Sequence, residues 1–336
     1  MNAKIRPNIV FIFMDDMGYG DVQVLNPERG KIPTPHMDRV AQEGMVFTDA
    51  HTSSSVCTPS RYSLMTGRYN WRTKKQAGVI YGFDGPLIPA SRMTVASLLK
   101  AQGYETAMIG KWHIGMTMPK KGRMSWKGTL QGVDWKGTIK GGPHDLGFDY
   151  FFGISASLDM PPYLYIENDK FVGEATVLKE PHPNRKGPAA ADFEVIEVLD
   201  ELAEKSVDFI QRQSKDKPFF AYLSLPSPHT PIVPTPKWQG KSGLGDYGDF
   251  MMQTDDFVGT VMKVLDEKGF SDNTLLIVSS DNGFSEAQGG AEELEARGHY
   301  PSAQYRGYKS EIYEGGHRVP FLVKWPAKVK AGTTSE

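Results

Sequence analysis

The chain of 336 residues contains a single cysteine, Cys57, so it cannot form an internal disulfide bond. A chain of this length must instead be held together by its hydrophobic core. Long apolar runs are also missing. Near the amino terminus, the apolar stretch Ile9–Met14 is far shorter than the roughly 18 to 20 residues that a membrane-spanning helix needs. These absences exclude a disulfide scaffold and predict a protein without a membrane span.

An excess of charge of one sign is missing too, because 38 Lys and Arg residues oppose 40 Asp and Glu residues. Without a basic block or a recognisable nucleic-acid module, nucleic acid is not an expected partner. The sequence has no Asn-x-Ser/Thr glycosylation site, and residues 1–10 contain no apolar signal-peptide core. The compartment therefore stays open between the cytoplasm and a mature form whose leader has been removed.

Short apolar segments alternate with helical patterns along the chain. The patterns predict strands at residues 8–14, 104–109, 218–225 and 274–280, and helices at residues 34–43, 94–102, 192–214 and 247–268. Strands separated by helices imply right-handed crossovers and a mostly parallel sheet. We therefore predict a single α/β domain over residues 1–336, with a mostly parallel sheet sandwiched between helices.

Two irregular segments interrupt this alternation. Residues 116–142 are rich in Gly, Lys and Trp, and residues 284–308 are polar apart from a short helical stretch near residues 291–296. We interpret both as insertion loops, and long loops of this kind are usually functional. For the first loop, the alternative to a plain exposed insertion is that Trp126 and Trp135 present flat surfaces to a sugar ring.

Polar residues follow each of the four predicted strands. In chain order they are Asp15 and Asp16, then Lys111 and His113, then His229, and finally Asp281 and Asn282. Open parallel sheets bind their ligands beyond the carboxyl ends of the strands. We therefore expect these side chains to line one edge of the sheet.

Two acidic pairs at equivalent strand ends suggest a metal site. Asp15, Asp16, Asp281 and Asn282 offer only oxygen ligands, which suit Ca²⁺ or Mg²⁺ better than zinc. An Asp pair taken alone is more often a turn or a helix cap. The second pair at an equivalent position favours the metal.

Cationic or protonatable groups are expected at the same edge. Lys111, His113, His229 and Lys309 would suit an anionic ester and its leaving group, whereas a lone histidine is usually structural. Cys57 begins a short predicted helix whose amino terminus favours an anion. From the residues alone, Cys57 is either a buried small hydrophobe or a reactive thiol.

Residues 57–67, CTPSRYSLMTG, match the signature of the type I, formylglycine-dependent sulfatases. Further motifs follow in the order of that family: NIVFIFMDDMGYGD, GYETAMIGKWHIG, SPHTP, SSDNG and GYKSEIYEGGHRVPF. Over essentially its whole length the chain thus resembles an arylsulfatase-like member of the alkaline phosphatase superfamily. The resemblance implies that superfamily's α/β fold and a sulfuric ester hydrolase.

The resemblance also implies a modification and a cofactor. Cys57 would be converted to Cα-formylglycine by a formylglycine-generating maturation enzyme, and the hydrate of this aldehyde would supply the attacking hydroxyl. A divalent cation, Ca²⁺ or alternatively Mg²⁺, would be held by Asp15, Asp16, Asp281 and Asn282 together with position 57.

Other residues take catalytic roles by the same resemblance. Arg61 would anchor the hydrate, while Lys111 and Lys309 would neutralise the sulfate oxygens. His229, together with Lys309, would protonate the leaving oxygen. His113 would then deprotonate the second hydroxyl, which expels sulfate and restores the aldehyde.

The implied substrate is a small-molecule or oligosaccharide sulfate ester, with galactose or N-acetylgalactosamine 6-sulfate as candidates. Candidate substrate contacts are Ser157, His144, Asp145, His299 and Arg306. Two alternatives stay open: a formylglycine-dependent phosphate or phosphonate ester hydrolase, and a non-catalytic glycan-binding homologue. Family members usually continue into a small carboxyl-terminal subdomain, so we expect that this chain is a truncated form that lacks it.

Overall fold

The computed structural model describes residues 6–122, 130 and 132–336, so Trp126 lies outside the described residues. The strands are β1 (Asn8–Asp15), β2 (Met45–Phe47), β3 (Glu105–Lys111), β4 (Tyr150–Ile154), β5 (Ile166–Glu167), β6 (Lys170–Phe171), β7 (Val177–Lys179), β8 (Gly187–Ala189), β9 (Phe219–Pro228), β10 (Thr274–Ser280), β11 (Phe321–Lys324) and β12 (Thr333–Ser335). The α-helices are α1 (Pro35–Gln42), α2 (Cys57–Thr66), α3 (Val95–Ala101), α4 (Val198–Gln211), α5 (Asp246–Glu267), α6 (Glu286–Gly289), α7 (Ala291–Ala296) and α8 (Glu314–His317).

One large mixed sheet forms the centre of the fold. Its strand order is β12-β2-β11-β10-β1-β9-β3-β4-β5-β6, and β7 and β8 form a separate pair. The five strands from β10 to β4 all run parallel, whereas β11, β5 and β6 are antiparallel to their inner neighbours. The predicted mostly parallel α/β sheet is confirmed, and its parallel centre brings the carboxyl ends of β1, β3, β9 and β10 to one edge.

Helices cover the sheet and set its core. Helices α1 and α4 both pack against α5, all three pack against strands of the sheet, and α3 packs against α2 and β3. In β1, Val10 and Ile12 are fully buried, whereas Ile9 and Phe11 are only half-buried. The first half of β1 is therefore fully buried on one face and only partly buried on the other. A cavity of about 160 Å³ separates Phe11 from α2.

Helix α1 begins differently from what its sequence predicts. Thr34 precedes it as a threonine N-cap would, but its hydroxyl accepts from the Gln23 N–H at 2.9 Å rather than from the first turn of α1. The carboxylate of Asp255, from α5, accepts from the backbone N–H groups of His36 and Met37 at 3.0 and 2.8 Å. A cap supplied by a distant helix cannot be read from the local sequence.

Asp255→Ala should destabilise the protein by about 1 to 2 kcal/mol, because two N–H groups of α1 lose their acceptor. Asp255→Asn should cost less, since its amide keeps one acceptor oxygen. The neighbouring Asp256, whose half-exposed side chain pairs with Lys237 at 3.1 Å, provides the control, and Asp256→Ala should change little. Urea unfolding measures all three variants, and equal losses at positions 255 and 256 would contradict the cap.

The first insertion loop is not a plain exposed segment. Met116, Met118, Trp135 and Ile139 are buried, and the Trp135 ring meets the edge of Phe171 at a centroid distance of 5.0 Å. The alternative in which Trp135 offers a flat face to a sugar is therefore wrong, because that indole is part of the core. In the second loop, α7 (Ala291–Ala296) matches the predicted helical stretch. No described helix is both long and apolar enough to cross a bilayer.

Candidate active site

Polar side chains gather at the carboxyl edge of the parallel strands, as predicted. Asp15 and Lys111 end β1 and β3, and Asp281 follows β10 directly. All members of the group are buried except Lys309, which is largely so. The cluster contains Asp15, Asp16, Cys57, Arg61, Lys111, His113, Ser157, His229, Asp281, Asn282 and Lys309.

Arg61 binds the carboxylates of two different strands. It lies one turn after Cys57 in α2, and its Nε donates to Asp281 Oδ2 at 2.8 Å, while its Nη2 lies 3.5 Å from Asp15 Oδ1. A further nitrogen, Nη1, donates to the hydroxyl of Ser224 in β9. Because an arginine presents donors in a rigid fork, Arg61 fixes the separation of these two carboxylates.

Lys111 joins Asp15 to Ser157. Its ammonium donates to Asp15 Oδ2 and, at 2.9 Å, to the hydroxyl of Ser157. Burial alone would raise the pKa of Asp15, but Lys111, His229 and Arg61 together hold it well below its usual value. Asp15 is therefore a carboxylate, able to ligate a cation.

Asp16 is held in place by Lys309 and Asn282. The Lys309 ammonium donates to Asp16 at 2.7 Å, and the Asn282 side-chain amide donates to Asp16 Oδ1 at 2.7 Å. The backbone of Asp16 has a φ of +65°, in the left-handed region that non-glycine residues rarely adopt. Such strain is often found at functional sites, where it orients a side chain that a relaxed backbone would direct elsewhere.

The cluster fits a divalent cation. One ligand atom from each of Asp15, Asp16, Cys57 and Asp281 can be chosen so that all four lie within 4.8 Å of one another. Asp15 Oδ1 and Asn282 Oδ1 are buried without a hydrogen-bond partner among the described residues. Burial raises the pKa of Asp281 to about 7 against the opposing effect of Arg61, and a cation here would keep that carboxylate ionised. Carboxylate and amide oxygens are the donor set of Ca²⁺ and Mg²⁺.

The charges of the cluster balance without a cation. Among the described residues, three carboxylates (Asp15, Asp16 and Asp281) face three basic groups (Arg61, Lys111 and Lys309). A bound dication would therefore leave a net charge of about +2 inside a buried site, with the histidines neutral. Such an excess attracts an anionic substrate.

Cys57 opens α2 and faces the carboxylates. Its side chain is 1% exposed, and burial raises the pKa of the thiol well above its usual value despite Lys111 and Lys309. A thiol with a raised pKa is a poor nucleophile because the thiolate is the reactive form. Position 57 is thus well placed for chemistry, but an unmodified cysteine is poorly suited to carry it out.

The two histidines of the cluster have different hydrogen bonds. His113 Nε2–H donates to the Ile80 carbonyl at 2.8 Å, and its Nδ1 is buried without a partner among the described residues. Burial lowers the pKa of His113 well below its usual value, so the ring is a neutral base. His229 Nδ1–H donates to the Thr230 carbonyl at 2.7 Å, while its Nε2 lies 3.5 Å from Ser157 Oγ.

Among the candidate substrate contacts, Ser157 and His299 have opposite environments. Ser157 belongs to the cluster, since its hydroxyl also lies 3.3 Å from Asp15 Oδ2. His299 is fully buried, and both of its ring nitrogens are already used: Nδ1 accepts from Lys31 N–H at 3.0 Å and Nε2 donates to Asp21 at 2.9 Å. The expected sugar contact of His299 is therefore not supported, and its position is that of a structural histidine.

The remaining candidates lie at different places. His144 and Asp145 are exposed and precede β4, and among the described residues no hydrogen bond or ion pair joins either of them to the cluster. The structure does not bring them to the site. Arg306 is also exposed, with its guanidinium carbon 3.7 Å from the Tyr313 ring centroid. Its backbone carbonyl accepts a hydrogen bond from the Gly315 N–H, and Gly315 packs against Gly283. Because Gly283 is next to Asn282 in the chain, Arg306 lies near the site.

Sequence reasoning missed two residues of the site, Ser224 and Asp159. Ser224 binds Arg61 and the Lys111 carbonyl, and Asp159 lies 4.0 Å from His229. Asp159 follows β4 at the same edge as the other candidates. Treating residues 150–154 as a strand and asking which polar groups follow it would have found Asp159.

A second group of possible metal ligands does not fit a resident cation. His51 Nε2 lies 3.0 Å from Glu314 Oε2, close to His317, and the group is partly exposed. Arg318 already donates to Glu314 Oε2 at 2.7 Å and therefore neutralises the carboxylate that a cation would need. The cluster around Cys57 remains the candidate site.

The fold and the site define a class of protein: an α/β protein with a buried cluster of carboxylates and basic groups, fit to hold a cation, at the carboxyl edge of its sheet. A family model described as sulfatase matches residues 7–336 of this chain. The chain therefore belongs to the sulfatase family, as the sequence motifs predicted.

Individual relatives agree with this assignment. The chain is 36% identical, over 97% of its length, to an N-acetylgalactosamine-6-O-sulfatase of Bacteroides thetaiotaomicron, and 32% identical, over 98%, to human arylsulfatase A. It covers 68% and 61% of these two proteins. A solved structure from work on the metabolism of multiple glycosaminoglycans by Bacteroides thetaiotaomicron is similar to 99% of this chain and is covered to 74%, with a TM-score of 0.87 and 35% identity.

Proposed function

We propose that this protein hydrolyses the sulfate ester of a sulfated carbohydrate. The observation that carries the proposal is the buried, charge-balanced cluster of carboxylates and basic groups around Cys57. A cation bound there would give the pocket an excess positive charge, which suits a sulfate ester. In the same family, a relative with 36% identity is named for its action on N-acetylgalactosamine 6-sulfate.

The chemistry needs two groups that this chain does not encode directly. Formylglycine made from Cys57 would supply a hydrated aldehyde as the nucleophile, and Ca²⁺ or Mg²⁺ bound by Asp15, Asp16, Asp281 and Asn282 would activate it. Arg61 binds both Asp15 and Asp281 and thereby fixes the separation of these two carboxylates. The modification explains why a cysteine with a raised pKa stands at this position.

The lysines and histidines of the cluster have different roles in this reaction. Lys111 and Lys309 donate to carboxylates that a cation would neutralise, so their ammonium groups become available to the sulfate oxygens. His229 keeps Nε2 directed toward Ser157, and its protonated, imidazolium form gives the Nε2 proton to the leaving oxygen; burial lowers the pKa of this ring and so makes the imidazolium a stronger acid. His113, neutral and oriented by the Ile80 carbonyl, accepts the proton whose removal releases sulfate.

The test compares an aryl sulfate with the matching aryl phosphate, using protein matured by a formylglycine-generating enzyme and a Cys57→Ala control. We expect turnover of the sulfate that is lost by at least about 10³-fold in Cys57→Ala, because the nucleophile is absent. Preference for the phosphate would favour the phosphate or phosphonate hydrolase. Sulfate turnover that survives in Cys57→Ala would exclude position 57 as the nucleophile.

A further inference from the structure

One carboxylate beside the site has no part in the mechanism above. Asp159 follows β4 and is 3% exposed, and its Oδ1 has no hydrogen-bond partner among the described residues. This oxygen lies 4.0 Å from His229 Nδ1, but that nitrogen already donates to the Thr230 carbonyl at 2.7 Å. Asp159 therefore does not orient His229 by a hydrogen bond, and a buried carboxylate oxygen without a partner needs another explanation.

Arg185 approaches the same carboxylate from the outside. Its Nε lies 3.6 Å from Asp159 Oδ2, and its side chain is about one-third exposed. The Tyr163 hydroxyl holds the backbone of Arg185 in place. It shares its single proton between the backbone carbonyls of Asp159 and Arg185. Arg185 thus places a positive charge on the solvent side of the Asp159 carboxylate.

The surroundings connect this pair to the catalytic groups. The Arg185 guanidinium carbon lies 5.3 Å from the Tyr81 ring centroid, and Tyr81 follows Ile80, whose carbonyl orients His113. A cavity of about 20 Å³, lined by Tyr81, Phe83, Pro161, Asn184, Arg185 and Lys186, lies beside Arg185. A cavity of this size holds about one water molecule, so a polar group can enter without rebuilding the core.

We propose that Asp159 and Arg185 form a sugar-reading pair, in which Asp159 accepts a hydrogen bond from a ring hydroxyl of the substrate. The proposal rests on the proposed function, because His229 protonates the leaving oxygen from Nε2 and Asp159 lies 4.0 Å from Nδ1 of the same ring, which brings the carboxylate close to the departing alcohol. A hydroxyl donor satisfies the unpartnered oxygen, whereas a second anion would be repelled by it. The Arg185 guanidinium holds the carboxylate and donates to a neighbouring sugar oxygen.

The pair should discriminate between sulfate esters. A site that is built to bind a hydroxyl rejects an analogue that lacks it, because the buried polar group is then left unpaired. An aryl sulfate carries no ring hydroxyl and gains nothing from Asp159. The pair therefore raises kcat/KM for sugar sulfates and has little effect on aryl sulfates.

The experiment measures kcat/KM for N-acetylgalactosamine 6-sulfate, galactose 6-sulfate and an aryl sulfate with matured protein. Asp159→Asn and Arg185→Met should each lower the value for the preferred sugar sulfate by about 10²-fold, and Arg185→Met should leave the aryl sulfate within about threefold. Arg212→Met is the matched control, since Arg212 also faces a tyrosine ring, with its guanidinium carbon 5.6 Å from the Tyr150 centroid. It should change neither substrate.

Other outcomes overturn the proposal in distinguishable ways. If both variants lower kcat/KM equally for the sugar sulfates and the aryl sulfate while thermal unfolding is unchanged, the pair acts on His229 or the sulfate site, not on the sugar. Aryl sulfate turnover without any turnover of the sugar sulfates by the unchanged protein also overturns it. If the matured protein turns over none of these esters, the result contradicts the proposed function and, with it, the proposed role of Asp159 and Arg185.

Discussion

Replacing Arg61 with leucine is expected to lower the free energy of unfolding by about 3 to 5 kcal/mol. Arg61 is fully buried and its guanidinium pairs with Asp281 and Asp15, whose side chains are also fully buried. Without it, Asp281 loses its nearest positive charge and Asp15 keeps only that of Lys111, and leucine offers no hydrogen bond to either carboxylate. Urea unfolding in the presence of a chelator measures the effect without help from a bound cation.

Arg39 provides the control for this change. Its exposed guanidinium also pairs with two carboxylates, Glu43 at 2.7 Å and Asp266 at 3.3 Å, but all three side chains are about 40% exposed. Arg39→Leu should cost less than about 1 kcal/mol, because water replaces the lost pairs. If the two replacements cost the same, the buried cluster would not depend on Arg61. Arg61→Leu should also abolish turnover, since the spacing of Asp15 and Asp281 is lost.

Calcium is expected to stabilise the protein strongly. At a concentration about 100-fold above its dissociation constant, one bound ion adds about 2.7 kcal/mol to the free energy of unfolding. The ion replaces Lys111 and Lys309 as the countercharge of Asp15 and Asp16. It also coordinates the unpartnered oxygens of Asp15 and Asn282. Thermal unfolding with and without Ca²⁺, followed by chelation with EDTA, measures this shift. Activity of matured protein should disappear on chelation.

Asp16→Asn should remove most of the calcium shift, because it takes one charge from the site while keeping its shape. Asp49→Asn is the control: Asp49 is about half exposed and pairs with Arg318 at 3.0 Å outside the cluster. A shift that persists in Asp16→Asn and disappears in Asp49→Asn would place the ion at the group formed by His51, Glu314 and His317. The same titration with Mg²⁺ tells which ion the site prefers, since Mg²⁺ demands a stricter geometry.

Much of the fold follows from local sequence patterns. The strand predicted at 274–280 is observed as Thr274–Ser280, and the Thr94 cap of α3 is present, with its hydroxyl accepting from Ser97 N–H at 3.0 Å. Both depend on neighbouring residues alone. The Asp255 cap of α1 and the burial of Trp135 depend instead on contacts between distant segments, so no local pattern indicates them.

The site shows the same division. Asp15 and Asp281 could be predicted to lie close together because each stands at the carboxyl end of a strand. Their strands, β1 and β10, are parallel neighbours, so these ends adjoin. His144 and Asp145 were misplaced because the motif that contains them precedes β4 instead of following it. His299 was misread because its partners, Asp21 and Lys31, are more than 260 positions away in the chain. A polar residue in a loop does not by itself show whether its hydrogen bonds are already taken.

The burial of Cys57 sets an order of events during synthesis. With 1% of its surface exposed beneath the site, the thiol cannot be reached by another enzyme once α2 has packed and Ser310 has bonded to Ser55. The proposed oxidation of Cys57 to formylglycine would therefore have to come first, while residues 57–61 are still an extended peptide. Asp281 and Lys309 are made more than 200 residues after Cys57, so at translation rates of about 5 to 20 residues per second the unfinished chain leaves this peptide accessible for some 10 s or longer.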